Sequence, residues 1–135
     1  MKQFLDIDPA SAVPIWRQIE DGVRRLVVSG RLAPGSAVPS VRELSRTLRV
    51  NPATVSKAYQ LLTTARLLDV RRGEGTFVAE LDDERLAAER RDLLADGATT
   101  FAGLARDLGA TREETLEILN TSLNLSTEGG REGDG

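Results

Sequence analysis

Residues 39–62, PSVRELSRTLRVNPATVSKAYQLL, hold two helix starts with almost no chain between them. Ser40 and Glu43 form an S-x-x-E capping box, and Val41, Leu44 and Leu48 follow at helical spacing, so a short helix is predicted over about 41–48. Asn51 is a favoured N-cap, and Pro52 suits the first helical position, where its missing N–H costs nothing. Only Arg49 and Val50 remain to turn the chain. In the second helix Val55, Tyr59 and Leu62, flanked by Ala58, share one face, while Ala53, Lys57, Gln60 and Thr64 share the other. Two short helices on a tight turn, the second apolar inside and small, polar and basic outside, form a helix-turn-helix pattern.

The flanking sequence extends this unit. Upstream, IWRQIEDGVRRLVVSG repeats Trp16, Ile19, Val23, Leu26 and Val27 in helical rhythm, with Pro14 suited to its first turn and Gly30 placed to end it. LAPGSAVP reads as a tight connection. Downstream, the β-prone runs LLDV and TFVA flank RRGEG, whose glycines can supply the positive φ of a hairpin turn. Three helices followed by such a hairpin make a winged helix-turn-helix over residues 1–80, so the expected fold class is mostly α with a small β wing. Beyond residue 81 a helical segment is expected to residue 125: one helix closed by Gly97, then two shorter ones separated by Gly109, the second opened by the Thr111–Glu114 capping box. Residues 126–135 have little to bury and are expected to form a disordered tail.

Charge separates the two regions. The net charge is −3, yet residues 1–80 carry 12 Lys/Arg against 8 Asp/Glu, and residues 81–135 carry 6 against 13. Within residues 40–76 seven basic residues face three acidic ones. The basic surplus therefore falls on the helix-turn-helix, where a nucleic-acid partner would want it. The last helix pair imitates a second helix-turn-helix, but Glu113, Glu114 and Glu117 at its head would repel phosphates, so it reads as an acidic hairpin that packs on protein.

Several function classes drop out. The absence of Cys and His removes disulfides, thiolate zinc sites and imidazole-based catalysis. Asp82, Asp83 and Glu84 could offer carboxylates to Mg²⁺, but they suit a helix start better. No enzyme, metal or cofactor is expected. With no long apolar span and no signal-peptide pattern at the N-terminus, no membrane partner is expected and the address is cytoplasmic by default.

The chain resembles the GntR family of bacterial transcription regulators over about residues 14–79, through PIWRQIEDGVRRLVVSGRLAPG, VPSVRELSRTLRVNPATVSKAYQLL and RRGEGTFVAE. The NPATVSKAY wording, with only a short segment after the wing, is similar to the YtrA-like subgroup. The resemblance implies a winged-helix binder of double-stranded DNA, dimerised through its C-terminal helices and most often a repressor. It nominates Arg42, the stretch Asn51 to Thr54, Ser56, Lys57 and Gly73 with its basic neighbours. Three positions depart from the family pattern: Arg49 and Arg66 stand where glycine is usual, and Glu74 where a basic residue is frequent at the wing tip. An arginine forced to positive φ costs on the order of 1 kcal/mol.

From the residues alone, Ser40 opens a helix whose N–H groups, with Arg42, can clamp a phosphate. Lys57 can reach a guanine edge or a phosphate, Asn51 and Thr54 can hydrogen-bond near the head of the recognition helix, and Ala53 allows close approach or meets a thymine methyl. Arg71 and Arg72 are the wing candidates, and alternation along a strand lets only one face DNA squarely. Trp16 and Tyr59 are expected in the core. The expected function is a DNA-binding regulator, probing a pseudo-palindromic operator as a homodimer; the alternative is a winged-helix protein-interaction module that has lost DNA binding. A small-molecule effector is left open.

Overall fold

The computed structural model describes residues 4–132. The element order is α1 (Ile15–Val28), α2 (Val41–Leu48), α3 (Pro52–Thr64), β1 (Leu68–Arg71), β2 (Gly75–Val78), α4 (Asp83–Asp107) and α5 (Arg112–Glu132). The chain divides into two compact units between Arg91 and Asp92.

In the first unit the capping residues fix the helix starts. Glu43 N–H donates to Ser40 Oγ at 3.0 Å and Ser40 N–H returns to Glu43 Oε1 at 3.4 Å, closing the box at α2. Ala53 N–H donates to Asn51 Oδ1 at 2.8 Å, with Pro52 at the first position of α3. The three helices pool their apolar faces: Ile19, Val23 and Val27 from α1, Leu44 from α2, and Val55, Ala58, Tyr59 and Leu62 from α3 are all buried. Leu67, Leu68 and Val78 close the core from the wing side, and Leu5 closes it from the N-terminal lead. Gly22 makes room for that lead, since a β-carbon there would lie 2.7 Å from Leu5 Cδ2.

The wing is an antiparallel hairpin in the register Leu68↔Val78, Asp69↔Phe77, Val70↔Thr76 and Arg71↔Gly75. Its turn uses Gly73 at φ +77° and is closed by Glu74 N–H on Arg71 O at 3.0 Å. The connection LAPGSAVP does more than turn. Gly35 N–H donates to Val78 O at 2.8 Å, Val78 N–H to Ser36 O at 2.8 Å and Val38 N–H to Thr76 O at 2.9 Å. The connector thus pairs with the outer edge of β2 and ties the wing to the helices.

The first unit also runs past the boundary expected at residue 80, because polar contacts tie the head of α4 to it. Arg85 Nη2 donates to Ala65 O at 2.6 Å, and the buried Glu89 carboxylate accepts from Arg85 at 3.0 Å and from Arg24 at 3.1 Å. Arg24 is held in turn by Glu20.

Two expectations for the second unit are corrected. Gly97 does not close a helix, because α4 is one helix of 25 residues. An interior glycine costs about 1 kcal/mol, and α4 runs through both Gly97 and Gly103, gaining a hydrogen bond at each further residue. Likewise the backbone of α5 continues through residues 126–132, where a disordered tail was expected; nucleation was already met at the Thr111 cap, where Glu114 N–H donates to Thr111 Oγ1 at 3.1 Å. Residues 133–135 of that tail lie outside the described residues. The break between α4 and α5 does fall at Gly109, with φ +72° and Ala110 N–H on Ala105 O.

Candidate nucleic-acid interface

The recognition helix α3 is two-faced. Val55, Ala58, Tyr59 and Leu62 are at most 5% exposed, so the helix cannot rotate without breaking the core. The remaining positions then have a fixed outlook: Asn51, Ala53, Ser56, Lys57 and Gln60 are exposed and Thr54 is half-buried. Tyr59 secures the arrangement by donating its hydroxyl to Pro39 O at 2.7 Å. Burial, and then the Glu43 carboxylate, push that phenol well above its usual range, so it stays a neutral donor.

Each candidate side chain has a definite chemical state. Asn51 spends its carbonyl oxygen on the cap, which leaves its amide N–H groups to donate outward. Thr54 donates its N–H to Asn51 O, completing the first turn. Ser40 Oγ accepts from Glu43 N–H and keeps its own hydroxyl hydrogen. The returning Glu43 carboxylate occupies part of the α2 head, so Arg42, exposed beside it, carries the positive charge there. Among the described residues Arg42, Arg46, Arg49 and Arg72 have no ion-pair partner. Arg46 and Arg49 extend the basic surface beyond the residues singled out by sequence; their exposure, invisible to motif reading, is the signal.

On the wing the two arginines differ. The Arg71 guanidinium lies 4.3 Å from the Phe77 ring centroid, stacked on its own hairpin, while Arg72 and Gly73 stand exposed in the turn beside Glu74. Trp16 departs from its expected core position. It is half-buried near the start of α1, with the Lys57 ammonium 4.2 Å above its ring centroid.

Both departures from glycine adopt the strained geometry. Arg49 has φ +57° and Arg66 φ +63°. Each still closes its helix in the regular way, Val50 N–H reaching Ser45 O at 3.0 Å and Leu67 N–H reaching Leu62 O at 2.9 Å. The acidic run at residues 82–84 serves the helix start: Asp82 Oδ1 accepts Arg85 N–H at 2.7 Å, and the described residues contain no group of three acids placed to hold a metal. No helix among the described residues is long and apolar enough to cross a membrane.

Comparison with known proteins agrees with this geometry. The sequence profile of bacterial regulatory proteins of the gntR family matches residues 16–78. The chain is 38% identical over 125 residues to YhcF, an HTH-type transcriptional regulator of Bacillus subtilis, covering 89% of this chain and 95% of that one. It is 31% identical over 131 residues to the HTH-type transcriptional repressor YtrA of the same organism, covering 97% and 100%. Among solved structures, a GntR family transcriptional regulator from Listeria monocytogenes matches with a TM-score of 0.72 at 28% identity, over 85% of this chain and 98% of that one. A helix-turn-helix with its outer face free, a two-stranded wing, and relatives aligned over nearly their whole length lead to one conclusion: the chain belongs to the GntR family, in its short YtrA-like subgroup, and is a DNA-binding transcriptional regulator.

Proposed function

We propose that the protein is a cytoplasmic repressor that binds a pseudo-palindromic operator as a homodimer. The observation that carries the reading is the division of α3 into a fully buried face and an exposed one bearing Asn51, Ala53, Ser56 and Lys57, with Thr54 at its margin. In this reading Ser40 and Arg42 hold phosphate at the head of α2, α3 enters the major groove, and Arg72 and Gly73 approach the backbone from the wing. Arg71, stacked on Phe77, shapes the wing and contributes charge. The intact closures at Arg49 and Arg66 favour DNA binding over a lost DNA face, because neither arginine distorts the helix-turn-helix.

The dimer is assigned to the second unit. There α4 and α5 expose Leu94, Leu104, Leu108, Leu116, Ile118 and Leu119, more apolar surface than a lone helical hairpin keeps in water. A second copy buries it and sets two recognition helices roughly 34 Å apart, one turn of duplex. The repressor role rests on the similarity to YtrA, named as a repressor.

The test is footprinting on DNA upstream of the chain's own operon, followed by titration of the protected duplex at increasing salt. Lys57→Ala and Arg42→Ala are each expected to lower affinity about ten-fold with unchanged thermal unfolding. Unchanged affinity in both variants would overturn the assignment of the reading face.

A further inference from the structure

The stack between Trp16 and Lys57 joins two helices that the DNA-reading pattern treats separately. Trp16 is the single tryptophan of the chain, and α1, which carries it, packs against α3. The ring lies 4.2 Å from the Lys57 ammonium, and among the described residues no acid pairs with that lysine. We propose that Trp16 is a positioning residue for DNA binding, holding the Lys57 ammonium in one place on the outer face of α3 for a phosphate or guanine edge to meet. The proposal rests on the reading of Lys57 as a DNA contact.

The chemistry of the partner is what gives the stack this role. A free lysine side chain samples many rotamers and loses that freedom when it docks. A carboxylate could restrain it, but would cancel the charge that attracts phosphate and would have to be displaced. An indole face attracts the ammonium through its quadrupole, carries no net charge, and is the strongest such face among the aromatic side chains. It meets one side of the ammonium and leaves N–H donors on the other. The restraint therefore costs the protein none of the charge that the DNA needs. Packing of α1 on α3 keeps the ring beneath Lys57, so α1 contributes to recognition without touching a base.

A double-mutant cycle on the full-length chain separates this role from simple packing. The probe is a labelled duplex of about 30 base pairs, enriched from a random library by the wild-type protein, followed by anisotropy at moderate salt. Trp16→Leu is expected to weaken binding about five-fold when Lys57 is present and less than two-fold in the Lys57→Ala background. Trp16→Phe, which keeps an aromatic face, should lose about two-fold. Without DNA, Lys57→Ala should change the emission of the sole indole. An equal loss from Trp16→Leu in both backgrounds, or no loss in either, overturns the proposal while leaving Lys57 as a contact. If Lys57→Ala itself binds like wild type, the contact reading fails and this inference with it. Thermal melting accompanies each variant; should Trp16→Leu fail to fold, the same cycle with Trp16→Phe decides, equal losses in both backgrounds again counting against the proposal.

Discussion

Replacing Arg49 by glycine should make the protein more stable, although it removes a charged side chain and adds backbone freedom. Arg49 has φ +57° and ends α2 with its N–H on Arg46 O at 3.3 Å. A β-carbon in that left-handed conformation crowds the following carbonyl, at about 1–2 kcal/mol. Glycine relieves the crowding but gives back about 0.5–1 kcal/mol through the greater entropy of the unfolded chain. The net gain is roughly 0.5–1 kcal/mol, which for a unit of this size is a rise in Tm of about 3–6 °C. Arg66, at φ +63° after α3, should respond alike, and the two gains should add because they relieve different helix ends. The measurement is thermal and urea unfolding by far-UV circular dichroism, with Arg49→Ala as control, since alanine keeps the β-carbon and should change stability little. A destabilised Arg49→Gly, or an Arg49→Ala that gains as much, would refute the reasoning. Because Arg49 is exposed and unpaired among the described residues, the stabilised variant should also bind DNA less tightly at low salt.

Tyr59→Phe leaves Pro39 O without its donor and should cost about 1–2 kcal/mol at neutral pH. Since the folded-state phenol holds its proton more tightly than the usual value of about 10, its contribution is present in full below that pH and is lost as pH rises above it. Unfolding followed from pH 8 upward should therefore show a shallower alkaline loss in Tyr59→Phe; parallel profiles would count against it. Glu89→Gln removes the charge shared by Arg24 and Arg85, and chemical denaturation should show a loss of about 1–3 kcal/mol. The loss should shrink when Arg24 is already alanine, and strict additivity would contradict a shared site.

Where a side chain bonds to its own neighbouring backbone, the sequence was readable. The Ser40–Glu43 box and the Asn51–Pro52 start set the bounds of α2 and α3, because each cap is complete within four residues. The apolar period of α3 likewise sorted Val55, Tyr59 and Leu62 from Lys57 and Gln60. Features made by segments distant in sequence were not readable. Residues 35–38 look like a plain turn, and their pairing with β2 needs partners some forty positions on. Trp16 fits the helical rhythm of α1 as well as any core residue, and only the packing of α1 on α3 reveals that its ring lies under Lys57. Gly97 carries a stop signal that the rest of α4 overrides. Glu89 sits on a helix rich in acids, with nothing local to mark it as the buried one.

The small sheet also bears on how copies of the protein behave when crowded. With the connector on one side and β1 on the other, β2 has both edges occupied, and among the described residues only β1 has an edge open to another strand. That strand is four residues long, and Asp69 and Arg71 stand exposed along it. Short, charged edges are poor templates for strand addition. Copies of the protein can thus lie wing to wing without zipping into a continuous sheet.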